Sequence, residues 1–184
     1  MKKITLPLNE QTALSLKAGD RVLLTGYIYT SRDAGHKRMC EAVDRGEELP
    51  FDTKDSVIYY VGPTPAKNGQ VIGSAGPTTS GRMDSYAPTL MQKGVRGMIG
   101  KGERNDRVVQ AIKEYNCVYF GAIGGAGALL SQCIKESTLL AYEDLGAEAL
   151  RRLYVEDMPL TVIIDCKGEN LYKTGRKKYL ESQE

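Results

Sequence analysis

The chain has 184 residues, 41% hydrophobic and 26% charged, with 25 Lys and Arg against 23 Asp and Glu, one histidine and a net charge of +2. That length and balance suit a single domain over residues 1–184 with a full apolar core, and exclude a mainly disordered chain or a strongly basic nucleic-acid binder. No apolar stretch approaches the roughly 20 residues of a membrane span, and Met1–Pro7 runs into polar Asn9–Gln11 without a signal-peptide centre, so a cytoplasmic protein without membrane contact is expected.

In chain order, Arg21–Tyr29 is rich in β-branched, aliphatic and aromatic residues and reads as a buried strand after the Ala18-Gly19-Asp20 turn. Thr30-Ser31-Arg32-Asp33 then opens a helix whose apolar face is Met39, Ala42 and Val43, ending near Arg45-Gly46. Ser56–Gly62 is a second strand, and Gly62-Pro63-Thr64-Pro65 with Asn68-Gly69 turns the chain back toward a third at Gln70–Ser74. A helix is predicted over Met83–Lys93 with Pro88 in its first turn, then a short strand Gly97–Gly100 and a helix over Asn105–Tyr115 with Val108, Val109 and Ile112 inward. Cys117–Ala122 is a strand, and Gly124-Gly125-Ala126-Gly127 leads into a helix over Ala128–Ile134. Glu143–Val155 reads as helix or turn, Leu160–Asp165 as a strand, Lys167–Asn170 as a turn and Thr174–Ser182 as a charged terminal helix. With no repeat or linker, one α/β domain is the economical reading.

Cys40, Cys117, Cys133 and Cys166 contain no C-x-x-C pair and read as reduced thiols, so no metal site belonging to this chain is expected. Chemistry concentrates instead in small-residue loops that follow strands and carry cations: Thr30–Asp33, Gly76–Arg82 and Gly100-Lys101-Gly102. Beyond the carboxyl ends of strands, helix N-termini and backbone amides favour negative charge. Arg32, Arg82 and Lys101 would there converge on an acidic small molecule, arginine gripping a carboxylate with two nitrogens and lysine adding a point charge. His36 suits either a general acid–base role or a capping and orienting one, and Asp33 either caps its helix or pairs with Arg32. The Gly124–Gly127 run lacks nucleotide-loop spacing, leaving close packing of helix on strand or a part in shaping the anion pocket. An anion pocket without a strong base, metal cluster or nucleophile triad suggests half of a site.

Ser31-Arg32-Asp33-Ala34-Gly35-His36-Lys37-Arg38, Gly76-Pro77-Thr78-Thr79-Ser80-Gly81-Arg82-Met83-Asp84, Gly100-Lys101-Gly102, Gly124-Gly125-Ala126-Gly127-Ala128-Leu129 and Ile164-Asp165-Cys166-Lys167-Gly168 carry a family resemblance. From about Thr5 to Tyr172 the chain resembles the β subunit, or C-terminal domain, of class I iron–sulfur fumarate hydratases. The resemblance implies a swivelling β/β/α three-layer domain that closes over an α subunit, and reversible hydration of fumarate to L-malate by αβ pairs in a hetero-oligomer. It also implies a [4Fe–4S] cluster held by the α subunit, one iron of which acts on substrate as a Lewis acid, with no ligand from this chain. By the same motifs Arg32, Arg82 and Lys101 are carboxylate and transition-state anchors. Thr78 matches the residue proposed to take the carbon proton, or else positions substrate by a hydrogen bond.

The β subunit of L(+)-tartrate dehydratase is the nearest alternative, with motifs closer to Cys-Arg-Asp-x-Cys-His and Thr-Thr-Ser-Met-Arg-Met-Glu. Gly81 and Asp84 match the fumarase form, whereas Ser31 and Gly35 stand where fumarases commonly have alanine. A non-catalytic anion-binding or regulatory module is the alternative outside enzymes, disfavoured because each motif position expected to touch substrate holds a competent residue.

Overall fold

The computed structural model describes residues 1–122 and 126–175. Among them seven strands form one sheet: β1 (Lys2–Thr5), β2 (Arg21–Thr30), β3 (Val57–Tyr59), β4 (Gly97–Gly100), β5 (Val118–Gly121), β6 (Ile134–Ala141) and β7 (Leu150–Ile164). The helices are α1 (Glu10–Ser15), α2 (Asp33–Asp44), α3 (Ala87–Gln92), α4 (Asp106–Glu114) and α5 (Gly127–Gln132). Strands β2, β3, β4 and β5 are successive parallel neighbours, and β7 runs antiparallel to both β5 and β2. The sheet therefore closes into a barrel within a mixed α/β domain. β1 extends it beside the first half of β2, and β6 beside the first half of β7.

Closure gives the sheet an inside and an outside, both apolar where helices cover it. Val22, Leu24 and Ile28 of β2, Val57 and Tyr59 of β3, Phe120 of β5 and Leu153, Val155, Leu160 and Val162 of β7 share the inner core. The alternate residues Ile58, Tyr60, Met98 and Tyr119 face outward beneath Met39 of α2, Leu90 and Met91 of α3, and Val108 and Ile112 of α4. β3, β4 and β5 are thus buried on both faces, as parallel strands under crossover helices must be, which is why each reads in sequence as a continuous apolar run. All four parallel strands point the same way, so the loops after β2, β3 and β4 gather at one end of the barrel.

Several elements differ from their sequence reading. Gln70–Ser74 is not a strand; the return persists only as paired loop backbone, Ser74 carbonyl accepting from Thr64 N at 3.0 Å and Thr64 carbonyl from Gly73 N at 3.2 Å. The helix predicted from Met83 starts at Ala87, with Pro88 in its first turn, because Ser80–Met83 forms a tighter 3₁₀ turn. Glu143–Val155, read as helix or turn, is a 3₁₀ turn over Glu143–Glu148 followed by the first part of the 15-residue β7. Its alternation slips phase: Leu153 and Val155 are inward, then Met158, Leu160 and Val162. The cause is a bulge in which Glu156 and Asp157 together oppose Thr25, Asp157 at φ 45° donating its amide to Thr25 Oγ1 at 2.9 Å. Most of the charged terminal helix expected over Thr174–Ser182, and Gly124 and Gly125, lie outside the described residues.

Candidate functional site

At the carboxyl end of β2 the chain passes through Ser31 and Arg32 into α2. Ser31 N donates to the Tyr59 carbonyl of β3 at 3.1 Å, fixing the β2 exit against the end of β3. Thr78 N donates to the next carbonyl, Tyr60, at 2.7 Å. Thr79 then pairs with Lys101, and Ser80 N reaches the Lys101 carbonyl at 2.8 Å, so the Gly76–Arg82 loop is laid between the ends of β3 and β4. Arg82 finally turns back to pair with Asp33 at the start of α2. This chain of backbone and ion-pair links brings all four expected residues, Arg32, Thr78, Arg82 and Lys101, to one end of the barrel.

The partners of the two arginines are not those their sequence neighbours suggest. Asp33 holds Arg82 and not Arg32. Arg32 lies 3.4 Å from Glu148 Oε1, and Glu148 Oε2 accepts the Ala34 amide at 3.1 Å, which caps α2 from outside the helix. Lys101 is exposed and has no carboxylate partner among the described residues. Thr78 is half-buried, and its hydroxyl makes no hydrogen bond to the described residues. The set therefore presents cations and one hydroxyl, each backbone fixed, on an open face.

His36 does not reach that face. It is buried, with Nδ1 3.0 Å from the Arg32 carbonyl and 2.8 Å from Ser31 Oγ, and its ring meets Tyr60 edge-on at 5.2 Å. With the proton on Nδ1, both oxygens accept from it, which holds the ring in one orientation. Ser31 and Gly35 prove to be linked departures: a Cβ on Gly35 would sit 2.6 Å from Ser31 Oγ, so glycine there leaves the space the hydroxyl occupies. Burial pushes the His36 imidazole down from 6.5 to about 4. An imidazole whose folded pKa lies below its unfolded one stabilises the fold only while neutral. The His36 contribution to the unfolding free energy is accordingly expected to fall by about 3 kcal/mol as pH drops from 6.5 to 4. Urea denaturation across that range checks this, and His36→Gln should flatten the His36 contribution to the slope.

Beneath the loop lies a buried polar cluster that sequence reading missed. The Arg104 side chain is wholly inaccessible; its Nε donates to Asp84 Oδ1 at 2.6 Å, and its guanidinium stacks over Tyr119 at 4.9 Å and Tyr60 at 5.3 Å. Asp84 Oδ2 accepts the amide of Asn105, the residue whose side chain caps α4. Tyr119 OH donates to the Gly102 carbonyl at 2.8 Å and lies 2.9 Å from Ser80 Oγ. Gly100 has no room for a side chain, since a Cβ would collide with Ser80 Oγ and press Tyr60 at 3.0 Å. Gly127 likewise packs its backbone on Ser74–Gly76, a Cβ there meeting Gly76 N at 2.9 Å, so this glycine shapes the loop leading to Thr78.

The donors at the site suit an anion and are not ligands for iron. Among the described residues no three His, Cys, Asp or Glu side chains group to hold a metal, and all four cysteines are free. No helix among the described residues is long and apolar enough to cross a membrane.

The family model described as "Fumarase C-terminus" matches residues 1–175. "Fumarate hydratase 2" of Leishmania major is 42% identical over 156 residues, 84% of this chain and 28% of that protein. "Fumarate hydratase class I, aerobic" of Salmonella typhimurium is 43% identical over 155 residues, 83% of this chain and 27% of its own length. "Putative L(+)-tartrate dehydratase subunit beta" of Methanocaldococcus jannaschii is 35% identical over 180 residues, 95% of this chain and 92% of that protein. The chain thus spans little more than a quarter of the two fumarate hydratases and nearly all of the tartrate dehydratase subunit. A family match over almost the whole chain, on a barrel whose strand ends gather the motif residues, establishes that it belongs to the fumarase C-terminus family, the C-terminal or β-subunit domain of class I hydro-lyases of the fumarate hydratase type.

Proposed function

We propose that this chain, as one domain over residues 1–184, is the β subunit of a fumarate hydratase that interconverts fumarate and L-malate in the cytoplasm, completing a site whose other half stands on a separate α subunit. The observation that carries this reading is the gathering of Arg32, Thr78, Arg82 and Lys101 at one end of the barrel by the backbone links of β2, β3 and β4. The β subunit would swivel as a β/β/α layered domain over the α subunit, so that its open cationic face becomes an enclosed pocket. Enclosure matters because a charge pair is worth far more once water is excluded.

The residues here do not fit a cluster; in this proposal the implied [4Fe–4S] centre has its ligands on the α subunit, where it would supply Lewis-acid chemistry. This chain's residues do the rest. Arg32 and Arg82 grip the two substrate carboxylates, and Lys101 adds positive charge where negative charge develops as the carbon proton leaves. Thr78 holds that proton's position, its amide fixed on Tyr60 and its hydroxyl unengaged. A threonine hydroxyl is a weak acid in water, and the neighbouring cations are what would stabilise its alkoxide.

Anaerobic co-expression with a cluster-bearing α-type subunit, followed by parallel assays on fumarate, L-malate and L(+)-tartrate, tests the reading. Fumarate turnover that needs both chains is expected. Preferred dehydration of tartrate would move the assignment to the sister enzyme, a reading favoured by the nearly full-length match to a tartrate dehydratase β subunit. A cluster-loaded complex that turns over none of these acids would leave an anion-binding module.

A further inference from the structure

The carboxylate that meets Arg32 comes from a different part of the chain, the end of the Glu143–Glu148 turn just before β7. We infer that Glu148 is a positioning residue for Arg32, setting the direction in which the guanidinium presents itself to a substrate carboxylate. This rests on the reading of Arg32 as a carboxylate anchor.

Glu148 is built as a bridge. One oxygen lies 3.4 Å from Arg32 Nη2 and the other accepts the Ala34 amide at 3.1 Å, so the guanidinium is tied to the first turn of α2 through a single side chain. Both flanks of Glu148 are themselves fixed. Before it, Asp144 pairs with Arg38 of α2, whose guanidinium also lies over the Tyr142 ring at 5.5 Å. After it, the Ala149 carbonyl accepts from Thr30 Oγ1 at 3.2 Å, and Thr30 Oγ1 accepts from Arg151 N at 3.1 Å. Thr30 is the last residue of β2, so the strand that delivers Arg32 also anchors the segment that delivers Glu148.

The remaining side of Arg32 is bounded by Gly62, where a Cβ would stand 2.9 Å from Nη1 and 3.1 Å from Cδ. Glycine is required for the guanidinium to lie against the backbone leaving β3. Yet the grip leaves donors over: the Arg32 Nε is buried and makes no hydrogen bond. A carboxylate that engages one nitrogen at 3.4 Å and leaves Nε unmatched orients the fork without using it up. Neutralising one positive charge in this way also limits the repulsion among Arg32, Arg82 and Lys101 before an anion arrives.

The test has one spectroscopic and one kinetic arm. In the full chain, the Arg32 Nε–H signal, assigned by its loss in Arg32→Lys, is expected to exchange with solvent about tenfold faster in Glu148→Gln. Glutamine keeps an acceptor for the Ala34 amide, so the melting temperature should stay close to that of the parent. In the assembled enzyme Glu148→Gln is expected to lower kcat/KM about tenfold, but less than about twofold when Arg32 is already lysine, because an effect that passes through Arg32 disappears with it. Unchanged Nε–H exchange, or equal losses in both backgrounds, would overturn the inference. If Arg32→Lys alone leaves kcat/KM untouched, it is the anchor reading that fails, and the exchange rate by itself then decides whether Glu148 holds Arg32.

Discussion

On the proposed function, Thr78→Ala is expected to lower kcat for malate dehydration by about 10²–10⁴-fold in the assembled enzyme, the range for losing a positioned proton-transfer group, with KM changed by only a few-fold. The separation of activity from stability follows from how Thr78 is held. Its amide donates to the Tyr60 carbonyl at 2.7 Å, a bond alanine keeps, and its hydroxyl engages none of the described residues. Urea denaturation of the variant should therefore agree with the parent within about 0.5 kcal/mol. Thr78→Ser restores an oxygen on the same backbone and should recover most of the rate. Steady-state kinetics on all three proteins decides the matter: a Thr78→Ala enzyme within a factor of a few of the parent would remove Thr78 from the chemistry, and a large rise in KM at constant kcat would make it a binding group only.

What could be read from the sequence about this site was its cations and its loops. Arg32, Arg82 and Lys101 stand in small-residue segments directly after β-branched runs, and parallel strands place such segments at one end of a sheet. The pairing of charges was not legible. Asp33 sits next to Arg32 yet pairs with Arg82, because Arg32 is in extended backbone and successive side chains there point to opposite sides. Glu148 and Arg32 meet only because β7 returns antiparallel to β2, and nothing local to either residue announces that return. The first half of β7 was hidden for a related reason: a two-against-one bulge puts exposed Glu156 and Asp157 side by side in mid-strand and cuts the period-2 pattern into two short pieces, only the second of which reads as a strand. Closure of the sheet was hidden with it, since β7 is the strand that closes it. Asp84 was visible as part of a motif, but its function depends on Arg104, whose charge in a loop reads as a solvated side chain until Tyr60 and Tyr119 are seen to enclose it.

That enclosed pair carries the largest expected effect on stability. Arg104 has no accessible side-chain surface and Asp84 is its only carboxylate partner among the described residues. Removing one member of a buried ion pair strands the other, at a cost of about 3–5 kcal/mol, so Asp84→Ala is expected to lose about that much in urea denaturation. Substituting both, Asp84→Leu with Arg104→Met, removes the stranded charge and should cost clearly less than the two single changes added together. The pair also has a second duty. Asp84 ends the Ser80–Met83 turn that carries Arg82, and its other oxygen fixes the Asn105 amide at the start of α4, directly after the Gly100–Glu103 loop that carries Lys101. The double variant should consequently fold but lose activity, because apolar packing can replace the energy of the pair and not its two directed bonds to the site loops. A double variant that keeps both stability and kcat/KM would show that the loops are set by their own backbone links at Tyr60 and Lys101 alone. One that unfolds like the single variant would show that the polar cluster specifies this end of the barrel.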